Sequence, residues 1–266
     1  MPTIDVNGTS LAYTAAGPES GTAVVLSHSL FFDRTMFAPL VEILAGEGFR
    51  TVAYDHRNQG GSAPDRRDRL DMDTLAADAA ALIEALGLGP CHFVGNSMGG
   101  FVALRLAARR PDLLLTAAAL GSSAEAENRL EEYQQLSGVV EAHGPGVIID
   151  VLLRVMFGAT SLTSRPQLCD PWRTFMAQLP PAIAESVHGV IHRTGIEAEL
   201  AGCATPVLAV AGSEDETYPQ PISGRTIAEA SGGQYVVVAA AGHSVALEQP
   251  ERVAEQLLGH FATVRR

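Results

Sequence analysis

A serine at position 97 has glycine two residues away on either side, in Gly95-Asn96-Ser97-Met98-Gly99. An apolar run, Cys91-His92-Phe93-Val94, leads in, and a helix-like run over 101–110 leads out. This order describes a sharp strand-to-helix turn, where small residues are needed because side chains would collide across the bend. The turn lifts the hydroxyl out of the sheet and sets it beside a helix N-terminus, which suits a nucleophile. A serine hydroxyl is a poor nucleophile near neutral pH. It needs a base within hydrogen-bond reach, and the base needs an acid to orient it. In an open parallel sheet such groups collect at the carboxyl ends of the strands. Two segments supply them here. One strand-like run is followed by Gly212-Ser213-Glu214-Asp215-Glu216, and the next by Ala241-Gly242-His243-Ser244. Asp215 and His243 are the expected partners of Ser97, with Glu214 and Glu216 as alternative acids.

The elements that must hold these residues alternate. Alternating segments over 3–6 and 10–14 flank Asn7-Gly8, a hairpin signal. Strands follow over 23–26, 50–54, 92–94 and 113–120, separated by helical patterns over 35–47, 75–86 (with Asp73 as cap) and 101–110. From 122 to 201 no buried strand is apparent; helical patterns cover 125–140, 146–157, 170–178 and 182–192, punctuated by Pro166, Pro171, Pro180 and Pro181. Strand–helix alternation resumes over 206–211, 222–230, 235–238 and 250–261. The reading is an α/β protein, a mostly parallel sheet covered on both faces. Residues 1–121 and 202–266 form the core, and 122–201 a helical cap inserted after the sixth strand.

Composition excludes several roles. With 266 residues and 47% hydrophobic content the chain can bury a full-sized core, and a net charge of −12 disfavours nucleic acid. The cluster Arg66-Arg67-Asp68-Arg69 reads as a solvated loop. Three cysteines without a C-x-x-C spacing give no disulfide framework. The N-terminus has no signal-peptide pattern and no apolar run is long enough to span a bilayer, so a cytoplasmic protein that does not engage the membrane is expected. The pattern calls for no cofactor and no metal. His188 and His192 have the i, i+4 spacing of a metal pair, but Gly189 weakens that helix and no Glu-containing zinc motif surrounds them. Oligomeric state is open, a homodimer being one option.

The order Ser97, Asp215, His243 is similar to that of the α/β-hydrolase fold family, and the chain resembles that family over nearly its whole length outside the insertion. Gly212–Asp215 resembles its Gly-x-x-Asp acid turn, which favours Asp215 over its glutamate neighbours. Gly242-His243 through Glu248-Gln249-Pro250 resembles its Gly-His-x-x-x-x-Glu-x-Pro segment. Asp55-His56-Arg57-Asn58-Gln59-Gly60-Gly61-Ser62 resembles its Asp-x-Arg-Gly-x-Gly-x-Ser loop, with Asn58 where glycine is usual. The resemblance implies an eight-stranded sheet. It also implies an oxyanion hole made by the backbone N–H of Met98 and, from the Ser27-His28-Ser29-Leu30 loop, that of Leu30. Ser29 departs from the usual glycine; His28-Ser29-Leu30 is similar instead to the β-ketoadipate enol-lactonase branch.

Other residues draw plainer readings. His28 is expected to brace its loop, His56 to be structural, and Glu248 to organise the start of the last helix. Phe31, Phe157 and Trp172 are the candidates to line an acyl pocket beneath the cap. The cap arginines Arg129, Arg154, Arg165, Arg173 and Arg193 are expected at the surface. The leading function is a serine hydrolase of carboxylic esters or lactones, working through an acyl-enzyme on a small-molecule substrate. A buried cap arginine would indicate a substrate carboxylate. The alternatives are a carbon–carbon hydrolase of meta-cleavage products, a cofactor-free perhydrolase, and a ligand receptor that keeps the triad but turns over slowly.

Overall fold

A computed structural model describes residues 1–264. The first strands are β1 (Thr3–Val6) and β2 (Thr9–Ala16), joined through Asn7 and Gly8 at φ +45° and +73°, the left-handed pair that a two-residue hairpin turn requires. Next come β3 (Ala23–Ser27), α1 (Ala38–Gly46), β4 (Arg50–Tyr54), α2 (Met72–Ala85), β5 (Cys91–Asn96), α3 (Met98–Arg109) and β6 (Leu114–Leu120). Six helices follow without a strand: α4 (Leu130–His143), α5 (Ile149–Met156), α6 (Ala159–Ser164), α7 (Pro166–Ala177), α8 (Ile183–Ile191) and α9 (Glu197–Leu200). The chain returns to the sheet with β7 (Val207–Gly212), α10 (Ile227–Ser231), β8 (Gln234–Val238), α11 (Val245–Glu248) and α12 (Pro250–Phe261).

The eight strands form one sheet in the order β1-β2-β4-β3-β5-β6-β7-β8. The β1–β2 and β2–β4 pairs are antiparallel and all others parallel. Every residue of β3, β5 and β7 is buried, as expected for central parallel strands covered on both faces. One layer is built on α2 packed against α3, the other on α1 packed against α12.

Register places the functional loops. Ser27 pairs with Gly95, Asn96 with Leu120, Leu120 with Val210, and Gly212 with Val238. The loops leaving β3, β5, β7 and β8 therefore emerge at a common level on the carboxyl edge of the sheet.

Local details differ from the sequence reading where short-range chemistry competes. Helix α2 is capped by Asp71, which accepts the Asp73 and Thr74 N–H groups at 3.0 and 2.9 Å. Asp73 sits inside the first turn and binds Arg105 instead. The expected helix over 35–47 begins as a 3-10 turn, Arg34–Phe37, capped by Asp33. Helix α7 starts four residues earlier than expected, with Pro166 in its first turn, where a missing N–H removes no helical bond. No helix among the described residues is long and apolar enough to cross a membrane.

Candidate active site

Ser97 stands between β5 and α3 at φ +51°, ψ −111°, a strained conformation for a side-chain-bearing residue. The surrounding glycines explain how the turn closes. A Cβ on Gly95 would lie 1.9 Å from the Gly99 carbonyl oxygen, and one on Gly99 would lie 1.9 Å from the Ser27 carbonyl oxygen. Both positions need glycine because two backbones approach where a methyl group would stand. The Ser97 N–H donates to the Leu120 carbonyl at 2.8 Å, and its carbonyl accepts the Ser122 hydroxyl at 2.9 Å.

The His243 Nε2 lies 2.7 Å from Ser97 Oγ, and its Nδ1 lies 3.2 and 3.1 Å from the two oxygens of Asp215. All three residues are buried. Asp215 Oδ1 also accepts the backbone N–H groups of Thr217 and Tyr218 at 2.9 and 3.0 Å, which locks the carboxylate in place. An acceptor-only group at Nδ1 leaves Nδ1 protonated and Nε2 free to take a proton from Ser97. The neighbouring glutamates are otherwise engaged: Glu214 accepts the N–H and hydroxyl of Thr160 in α6, and Glu216 is exposed.

The loop after β3 is braced from below. His28 Nε2 accepts the His56 N–H at 3.0 Å, so its Nδ1 carries the proton and donates to the Ser29 carbonyl at 2.7 Å. His56 in turn meets Ser27 Oγ at 3.0 Å. Burial pushes both imidazoles below their usual range, His56 strongly. Ser29, where glycine is usual, is accommodated by Asn96. The Asn96 amide donates to Ser29 Oγ and to the His243 carbonyl, both at 2.9 Å. Asn96 thus links the loops that follow β3 and β8, a role that its place inside the serine turn did not reveal. Among the described residues, the backbone N–H groups of Leu30 and Met98 donate to no protein acceptor.

Ser97 and His243 line a cavity between the sheet edge and the inserted helices. Leu30, Phe31 and Met156 contribute to it, and Leu136, Val140, Leu152, Val187 and Val190 from the inserted helices make much of the rest apolar. Of the three aromatic candidates Phe31 lines this space; Phe157 and Trp172 do not. Their rings pack on Phe32 at centroid distances of 6.0 and 4.7 Å, which turns them into the contact between inserted helices and core. The polar wall is Glu127, Tyr133, Ser137, Thr217 and Tyr218, of which the sequence reading singled out none as lining.

Two further expectations are corrected. Glu248 does not cap the last helix. Its two oxygens accept the Gly158 and Gly242 N–H groups, each at 2.9 Å, joining the inserted helices to the residue before His243. Arg193 is buried rather than at the surface, paired with Glu127 at 3.0 Å. His188 and His192 stack at 3.9 Å, and His192 bonds Gln134 and the His188 carbonyl. Among the described residues no group of three or more His, Cys, Asp and Glu is placed to hold a metal ion.

Residues 24–256 match the model of the alpha/beta hydrolase family. A putative non-heme bromoperoxidase of Mycobacterium tuberculosis is 28% identical over 244 residues, 87% of this chain and 90% of that protein. A thermophilic esterase from Thermogutta terrifontis superposes with a TM-score of 0.90 at 26% identity, over 100% of both chains. The enol-lactonase from Burkholderia xenovorans LB400 does so with a TM-score of 0.90 at 26% identity, over 98% of this chain and 100% of that one.

Proposed function

The chain belongs to the alpha/beta hydrolase family, and on that premise we propose that it hydrolyses carboxylic esters or lactones through Ser97, His243 and Asp215. The observation that carries this reading is the 2.7 Å contact between His243 Nε2 and Ser97 Oγ at the wall of a largely apolar cavity. The similarity to an esterase and an enol-lactonase supports it.

In this reading Ser97 Oγ attacks the acyl carbonyl while His243 Nε2 takes its proton. Asp215 holds the imidazole tautomer and stabilises the imidazolium. The N–H groups of Leu30 and Met98 donate to the oxyanion of the tetrahedral intermediate; each such donor is worth about 3–4 kcal/mol of transition-state stabilisation. His243 then protonates the leaving oxygen, and water deprotonated by His243 releases the acid. Residues 122–201 serve as the cap that walls the acyl chain off from solvent.

The test is a panel of short p-nitrophenyl esters and lactones of graded ring size, run with the wild type and Ser97→Ala. Turnover by the wild type and a loss of about four to six orders of magnitude in kcat for Ser97→Ala is expected. Full activity in Ser97→Ala would end this reading.

The similarity to a putative non-heme bromoperoxidase favours one second reading, in which hydrogen peroxide replaces water at the acyl-enzyme and leaves as a peracid. Peracid formation from a short carboxylic acid and peroxide, dependent on Ser97, would distinguish it from simple hydrolysis.

A further inference from the structure

The charged groups at the polar wall of the cavity are arranged with a direction. The Glu127 side chain, in the segment between β6 and α4, is 1% exposed and lines the cavity. Its Oε2 accepts from the Arg193 guanidinium at 3.0 Å and from the Tyr218 hydroxyl at 2.9 Å, and its Oε1 accepts the Arg129 backbone N–H at 2.9 Å. Arg193, whose side chain is also 1% exposed, is not part of the lining. Its guanidinium lies 4.2 Å from the centre of the Phe101 ring and donates to the Glu125 and Val190 carbonyls. Glu127 borders the cavity, and the cation paired with it does not. Burial pushes the neighbouring Tyr133 phenol up to about 12, with Glu127 among the groups that raise it, so the wall offers neutral hydroxyls beside one carboxylate.

Resting on the reading of this site as an ester or lactone hydrolase, we propose that Glu127 is a specificity residue that confines the cavity to neutral acyl chains. A substrate carboxylate entering it would be stripped of water beside a second carboxylate. The buried cation that could neutralise it is already neutralised by Glu127. Without Glu127 the position reverses: Arg193 becomes a buried, unpaired cation, and an anionic acyl chain becomes its partner.

The experiment compares p-nitrophenyl butyrate with mono-p-nitrophenyl succinate, whose acyl chain ends in a carboxylate. kcat/KM is measured for the wild type, Glu127→Gln and Glu127→Ala. Glutamine keeps the shape and removes the charge. Alanine also opens room to reach Arg193, and is the second test should the glutamine variant not fold; circular dichroism and melting establish folding for each. The wild type is expected to favour butyrate by about a hundredfold. In the variants that ratio is expected to fall by at least about tenfold, through a gain in kcat/KM on succinate. Adding Arg193→Met to Glu127→Ala is expected to erase the gain. A wild type that takes both esters equally, or a folded variant with the wild-type ratio, overturns the proposal. Ser97-dependent turnover without selectivity would refute this proposal alone, whereas turnover that survives Ser97→Ala would refute the hydrolase reading beneath it.

Discussion

Gly95→Ala isolates the geometry of the serine turn from its chemistry. The substituted methyl group would stand 1.9 Å from the Gly99 oxygen, 2.1 Å from the Gly99 carbonyl carbon and 2.5 Å from the Gly100 nitrogen. All three are backbone atoms of the first turn of α3, so no flexible side chain can yield. Carbon contacts settle near 3.5 Å, so the helix must retreat from β5 by more than about 1 Å. Overpacking of this kind costs about 1–3 kcal/mol or somewhat more, and each kcal/mol lowers the melting temperature by roughly 2–4 °C in a chain of this size. The same retreat moves Ser97 relative to His243, now 2.7 Å apart, and a displacement of about 1 Å costs on the order of a hundredfold in rate. The assay is kcat on a short ester beside a thermal melt. Gly138→Ala is the control: it lies in α4 with nothing within 4 Å of the new methyl, and alanine there should stabilise by about 0.5–1 kcal/mol. A Gly95→Ala protein with wild-type kcat and melting temperature would refute the claim that the approach of α3 to β5 requires this glycine.

Asp215→Asn should lower kcat by about 10⁴-fold with little change in melting temperature, because the amide also satisfies His243 in the wrong tautomer; activity within about tenfold of wild type would count against Asp215 as the orienting acid. Glu248→Gln should leave one of the Gly158 and Gly242 N–H groups without an acceptor, at a cost of about 1–3 kcal/mol in unfolding free energy. A concurrent drop in kcat with KM unchanged would show that the strain reaches His243. Acid should destabilise the protein through its buried histidines. Burial holds His28 and His56 below their usual range and His92 down to about 4. The unfolded chain binds their protons first, from about pH 6.5 downward. Their contribution is therefore full above that value and is lost as pH falls toward the folded values. The melting temperature should be flat above roughly pH 7 and fall toward pH 4, with up to about 3 kcal/mol attributable to His92; a flat profile across that range would contradict this.

The positions of the serine turn and the acid are legible because each lies just past a fully buried strand, β5 or β7, and that of the histidine because chain order places it after the edge strand β8. The sheet was legible for the same reason. The inserted helices are less legible. Two short ones, α6 and α9, fall below the length at which periodicity can be recognised. Aromatic residues under a cap suggest an acyl pocket, which makes Phe157 and Trp172 candidates to line it; which helical face meets the cavity depends on how the helices dock, and these two dock on Phe32. Arg193 is expected at the surface because arginine usually lies there. Its burial depends on Glu127, distant in sequence, and on the Phe101 ring, which no local pattern joins to it. Asn96 and Glu248 sat inside segments already singled out, yet their roles lie in bonds to other loops.

In the proposed reaction, acyl transfer passes through Ser97 Oγ. It is tested most directly by quenching the reaction with a slowly released p-nitrophenyl ester in acid and locating the acyl group by peptide mass spectrometry. A stoichiometric burst of p-nitrophenol and an acyl mass on the peptide containing Ser97 are expected, both absent from Ser97→Ala. Sustained wild-type turnover with no acylated enzyme, or an acyl group on another residue that Ser97→Ala leaves in place, would contradict it.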